Sequence, residues 1–270
     1  MTRKVRKRFL LAALGLCIAI LLANLASLTY FLAITRMPIS RFLMLLSDYG
    51  IPDSHGFIIL SHLLQAAFVP VAILSTYLFF RKTPSPEIFF FVFALVSFSL
   101  ASLRFTAPLL DSLTTSPMAL IPLTRLVYFS RILAMLSLFA SGLFSTGLTY
   151  QRQEIYLGGF VMISFILAAA LPIDFTAFSL PFLLEAGRET GFFIAYYAIA
   201  AIAVFNFLYA ASIHHNLNYL FNATALIIFI ASKEIFFFYP DSWYVFPALA
   251  GIIAATLLFA QKTHEIYLWL

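Results

Sequence analysis

Apolar residues run along this chain in eight long blocks, and polar residues gather in the short breaks between them. The blocks lie near 9–34, 57–80, 87–105, 120–149, 155–173, 191–212, 217–238 and 245–261. A helix needs roughly 20 residues to cross the hydrocarbon core of a bilayer, and these blocks are of that order. The third and fifth are short, the eighth is close to the minimum, and the fourth is long enough to tilt. Lipid offers no partner to an open strand edge, so the backbone must satisfy itself within each segment as helix. The alternating apolar and polar positions of a membrane barrel are absent. The pattern therefore predicts an all-α polytopic transmembrane bundle of eight helices. A seven-helix version, with one weak segment lying flat, is the alternative.

Composition sharpens this picture. Hydrophobic residues make up 63% of the chain and charged residues 10%, against about 45–50% and about 25% in a soluble domain. The breaks are too short to fold alone. The chain reads as a single integral-membrane domain over 1–270 with no soluble domain. The segments 35–56, 106–119 and 174–190 have room only for a short helix or a cap, and the nine residues after Gln261 cannot hold a signalling module.

Charge sets the expected orientation. Arg3, Lys4, Arg6, Lys7 and Arg8 precede the first block, and such clusters stay in the cytoplasm. With eight spans, Arg81, Lys82, Arg152 and Lys262 fall on the same side, giving nine of the sixteen Lys and Arg residues. Arg36, Arg41 and Arg188 fall on the other side, among most of the acids. The expectation is N-in and C-in, in a prokaryotic plasma membrane (the inner membrane). The basic N-terminus contacts anionic lipid, which accounts for a pI near 9.3 without a nucleic-acid partner. The first block is too long for a cleaved signal peptide. Cys17 follows Leu14-Gly15-Leu16, and Leu16 is too bulky for a lipoprotein site. A lone cysteine reads as a packing residue.

Ionisable groups at membrane depth are costly unless paired or hydrated, which makes them the first site candidates. At about 1.5 Å per residue, His62 lies about 9 Å inside the second span, with Gln65 one turn further on the same face. Arg104 ends the third span. Arg125 lies near the start of the fourth, and Arg131 about 9 Å deeper. Lys233 and Glu234 occupy the last third of the seventh. All belong to the outer third of the expected membrane. Four cations and one carboxylate make an excess of positive charge, with Asp111 and Asp174 at the rim. Arginine forks match phosphate and carboxylate groups, so one reading is an anion or lipid-headgroup pocket between the second, third, fourth and seventh spans. The competing reading has Arg104 and Arg125 snorkelling to the interface while Arg131 and Lys233 pair with Glu234. Asn24 lies in the outer part of the first span. An inner layer, Asn206 and Asn222, lies at one depth on neighbouring spans and predicts an interhelical hydrogen bond; a polar conduction path is the lesser reading.

Small residues let helices approach closely in lipid. Ser137, Ser141 and Ser145 with Gly142, the pairs Ala250/Ala254 and Gly251/Ala255, Gly158-Gly159, and Ala195, Ala198 and Ala201 are expected to face the bundle. The phenylalanines are expected to face lipid or fill gaps. Pro70 should kink the second span or free the carbonyl of Ala66.

Other chemistries find no support in the sequence. Haem would need histidines facing each other at one level, whereas His62 and the His214-His215 pair lie at opposite ends. His214-His215 reads as a solvated loop rather than a metal site. No HExxH, GxSxG or Walker A pattern is present. Lys233 lacks the facing carboxylate a retinal Schiff base requires. Asn222-Ala223-Thr224 fits a glycosylation pattern but lies inside a span. No cofactor and no metal are expected. The sequence thus points to a non-enzymatic multi-pass protein, a sensor or accessory subunit that binds a lipid headgroup or small anion near the outer leaflet. It would act through a protein partner or a homo-oligomer. A small transporter or flippase-like carrier is the alternative. A lipid-modifying enzyme is disfavoured because no nucleophile and base converge.

Overall fold

The computed structural model describes residues 3–35, 55–80, 85–107, 120–147, 153–180, 183–187 and 189–268. The helices are α1 (Arg3–Thr35), α2 (His55–Phe79), α3 (Pro86–Ala101), α4 (Leu120–Ser145), α5 (Gln153–Ala170), α6 (Glu189–His214), α7 (Leu217–Phe238) and α8 (Val245–Leu268). A 3-10 segment, Ser102–Thr106, extends α3. Among the described residues seven helices are long and apolar enough to cross a membrane, and α5 is a shorter eighth. Its 18 residues span about 27 Å, just under the hydrocarbon thickness. The chain is an all-α polytopic bundle.

Helix α3 begins where its sequence says it should. Ser85 accepts a hydrogen bond from the Ile88 amide at 3.2 Å, Pro86 occupies the first turn, and Glu87 sits beside the positive end of the helix. Helices α3 and α4 form the central pair, each 78% buried over its span, against 22% for α6. Around them run α1, α2, α8, α7 and α6, each packed on the next. Helix α5 leans mainly on α4 from the outside, and its Phe160 also meets Phe90 of α3. The phenylalanines divide between the two expected places, with Phe165, Phe205, Phe221 and Phe246 exposed and others filling the interior. Phe90, Phe91, Phe207, Phe229, Phe236 and Phe259 are almost fully enclosed, and Phe91 stacks on Phe259 with ring centres 4.3 Å apart.

The small-residue stripes divide. Ser137, Ser141 and Ser145 are buried. At Gly142 an added Cβ would lie 2.7 Å from the Ala203 carbonyl oxygen, so the glycine sets how closely α4 and α6 approach. At Gly251 it would meet the Ser232 hydroxyl of α7. The other stripes miss the bundle: Gly158, Gly159, Ala250, Ala254, Ala195, Ala198 and Ala201 are exposed, and α6 buries Ala200, Ala203 and Ala210 instead. Helix α2 runs through Pro70 without interruption. Helix α8 continues to Leu268, so Lys262 belongs to a helix rather than a tail.

One connection departs from expectation. The segment after α5 forms a two-stranded antiparallel hairpin, β1 (Ile173–Leu180) and β2 (Leu183–Ala186), so it is a cap built of strands and not a short helix. Bulges between Asp174 and Phe178 and between Phe178 and Leu180 fit an eight-residue strand to a four-residue one. The Leu184 amide donates to the Thr124 hydroxyl at 3.3 Å. Leu183 packs with Val127 of α4 and Phe237 of α7. The hairpin thus roofs the end of the bundle where α4 begins and α7 ends. At the opposite end His215 adopts a left-handed φ of 48°, which reverses the chain sharply between α6 and α7. Arg36, Arg41, Arg81, Lys82, Asp111, Arg152 and Arg188 lie outside the described residues.

Candidate functional site, a buried ionic cluster beneath the hairpin

Five elements deliver polar side chains to one layer. The 3-10 turn of α3 carries Arg104 inward, where it is 2% exposed rather than snorkelling. Its Nη1 and Nη2 donate to the carbonyl oxygens of Phe237 at 3.1 Å and Phe236 at 2.9 Å. These carbonyls end α7, so Arg104 caps that helix where its dipole is negative. Its Nε donates to Nε2 of His62 on α2 at 2.5 Å. Arginine can only donate, so the His62 ring offers a lone pair at Nε2 and carries its proton on Nδ1. That Nδ1 lies 2.9 Å from the Ser61 hydroxyl, which donates to the Ile58 carbonyl. Gln65 Nε2 donates to the Phe98 carbonyl at 2.5 Å. His62 and Gln65 thus both bind α2 to α3, as their shared helix face implies.

Arg131 and Lys233 converge on Glu234. Arg131 Nη2 reaches Glu234 Oε2 at 2.5 Å, and Lys233 Nζ lies 3.2 Å from Oε1. The sequence missed two partners on α6. The Tyr196 hydroxyl donates to Glu234 Oε1 at 2.7 Å and accepts a hydrogen bond from Lys233. The Tyr197 hydroxyl donates to Oε2 at 3.2 Å from the lipid-facing side. The only signal for them was a tyrosine pair in an alanine-rich apolar span. Arg131 also lies on the face of Phe237, 3.5 Å from its centre, with Tyr196, Phe193 and Phe238 around it. Among the described residues its Nε and Nη1 have no hydrogen-bond partner. Ring faces stabilise the charge of a guanidinium but leave its in-plane N–H groups unspent.

The structure separates the other predicted members. Arg125 is exposed near the start of α4 and takes no part in the cluster. Asn24 donates to the Ser102 hydroxyl at 2.8 Å, tying α1 to the 3-10 turn. The inner pair does not meet: Asn222 donates to Thr263 of α8 at 3.1 Å, while Asn206 packs by Gly142, its Nδ2 without a partner among the described residues. The helix rotations explain this, since α7 turns Asn222 toward α8 and α6 turns Asn206 toward α4. His214 rests against the Tyr219 ring, and no group of three potential metal ligands occurs among the described residues.

No protein family matches the chain, and no curated protein or solved structure is significantly similar to it. The geometry alone therefore carries the functional argument.

Two cavities adjoin the cluster. A small one of about 20 Å³ is lined by Gln65, Arg104, Arg131, Lys233 and surrounding apolar groups. A large apolar cleft of about 730 Å³ opens between α5 and α6 over a floor of α4. Both helices pack on α4 but hardly on each other, which leaves the gap. Ile132 and Met135 form the floor, Leu167 one wall, and Phe192, Ala195 and Tyr196 the other. Tyr196 therefore faces the cleft with its ring and the ionic cluster with its hydroxyl.

A second buried acid sits at the far end of the bundle. Glu87 is 3% exposed and accepts hydrogen bonds from Ser85 and Tyr267, each at 2.7 Å. Ser141 donates to its backbone carbonyl at 3.0 Å. This arrangement caps α3 and fastens α8 and α4 to it.

Proposed function

We propose that this protein is a non-enzymatic lipid-binding protein of a prokaryotic plasma membrane, acting as a sensor or accessory subunit. The lipid tail would lie in the cleft between α4, α5 and α6. Its polar head would meet the cluster of Arg131, Lys233, Glu234, Tyr196 and Tyr197. The observation that carries this reading is the position of Tyr196, which joins a large apolar cleft to a buried ionic network. Such a junction matches an amphiphile: ligand pockets of about 300–1,000 Å³ are mostly apolar, with a few placed polar groups. The excess of cations over carboxylates favours an anionic head. In the expected orientation this lies in the outer leaflet.

A transporter would need a polar route from this cluster to the other end of the bundle. Asn222 turns toward Thr263 of α8 and Asn206 toward Gly142 of α4, so the two do not join in one route, and the lipid reading is preferred.

The test is native mass spectrometry of the wild type and of Ala195→Trp, which fills the cleft from the exposed side of α6. The wild type should retain a lipid adduct that the variant, melting at the same temperature, has lost. Identical lipid adducts on both would overturn the reading.

A further inference from the structure

The small cavity under the cluster has a character of its own. Arg104, Arg131 and Lys233 line it, and no carboxylate does. These three side chains are 2%, 3% and 5% exposed. Glu234 neutralises one of the three cations from outside the lining. The α7 carbonyls offset part of another, since a helix C-terminus carries about half a negative charge. Asp241 acts on Arg104 only at a distance, and no described carboxylate bonds it. The cavity therefore keeps a positive excess.

It also keeps donors. Arg131 lines it, and among the described residues its Nε and Nη1 have no partner although the side chain is almost wholly buried. Lys233 carries three protons and spends two of them, on Tyr196 and Glu234, leaving one. The Ser97 and Ser130 hydroxyls donate to the carbonyls of Phe93 and Val127 on their own helices, so toward the cavity they offer only neutral oxygen lone pairs, which cannot balance the cationic charge. Uncompensated buried charge is costly, and a guest that accepts hydrogen bonds and carries negative charge offsets it. A cavity of about 20 Å³ exceeds the roughly 10–15 Å³ that one water needs. That size suits a single small anion and excludes a lipid headgroup.

We propose that this cavity is a binding site for a halide-sized inorganic anion, held by Arg131, Lys233 and Arg104 between α2, α3, α4 and α7. The anion locks α4 and α7 together beneath the hairpin. The two cavities have no lining residue in common, but both readings draw on the charges of Arg131 and Lys233, so each is tested by its own readout, melting in halide salts for this cavity and lipid adducts for the cleft.

Thermal melting of the purified full-length wild type in sodium chloride, sodium bromide and sodium gluconate, at constant ionic strength, tests it. Chloride and bromide should raise Tm saturably by about 3 °C or more over gluconate, as expected for a ligand that binds only the folded state. Ala134→Leu, which projects into the cavity, should abolish that rise while leaving the lipid adducts in place. Bromide soaked into crystals of the wild type should give an anomalous peak between Arg131 and Lys233, and this measurement stands even where Ala134→Leu fails to fold. Equal melting in the three salts means that the cavity holds water only and overturns the proposal. So does a salt effect that survives in folded Ala134→Leu, or bromide bound elsewhere alone.

Discussion

Arg131 and Glu234 lie 103 residues apart in sequence and 2.5 Å apart in space. Glu234 is at once the carboxylate for Arg131, for the adjacent Lys233 and for two tyrosine hydroxyls of α6. One acid on α7 therefore holds α4 and α6 against it. A single carboxylate with four partners makes these positions interdependent, so their contributions are not additive.

Removing the charge from Glu234 should be the most damaging change in the cluster. Glu234→Gln leaves two buried cations facing a neutral amide, and breaking such a pair costs about 3–5 kcal/mol. Arg131→Gln removes only one partner and should cost less. Exchanging the two, as Arg131→Glu with Glu234→Arg, should recover part of the loss, because Lys233 and both tyrosines remain set for an acid at 234. Folded yield after detergent extraction, with Tm, reads these effects. A double variant no more stable than the worse single one would show that the pairing contributes nothing.

Arg104 should not tolerate lysine. The arginine bonds His62 and two α7 carbonyls from three different nitrogens, and a lysine ammonium cannot span that fork. Arg104→Lys should destabilise the last turn of α7 by about 1–3 kcal/mol. Amide hydrogen exchange over 235–239 should quicken while the middle of α7 stays protected. Unchanged exchange there would mean that the capping contacts carry no weight.

The two asparagines of the other end should behave differently from each other. A double-mutant cycle of Asn222→Ala with Thr263→Val should show coupling of about 0.6–1.7 kcal/mol, the range for interhelical hydrogen bonds in lipid. The cycle of Asn222→Ala with Asn206→Ala should show none within error. The opposite pattern would place Asn206 against Asn222, contrary to the structure.

Much of the architecture was legible in the one-dimensional pattern. Long apolar blocks can satisfy their backbone in lipid only as helices, so the number, order and approximate bounds of α1 to α8 follow from hydropathy. Charged residues at membrane depth must find partners, so Arg131, Lys233 and Glu234 could be grouped before any fold was known. The sequence also pointed to Gly142, because a glycine among serines at helical spacing is where backbones approach.

The rest depended on rotation and contact. Which face a helix turns inward is decided by packing against particular neighbours, and a nearly uniform apolar span carries little record of it. That is why Gly158, Gly159 and Ala195 read as core and lie exposed, why Asn206 and Asn222 share a depth without touching, and why Arg125 faces outward while Arg104 turns in. Tyr196 gained its double role only when α6 met α7 at Glu234 and parted from α5. The hairpin Ile173–Ala186 arose because its leucines found the ends of α4 and α7 to cover. By itself the sequence determined that eight helical blocks must bury their backbones and their charges. Tertiary structure decided which charges met and what spaces remained between them, because those depend on distances that hydropathy does not encode.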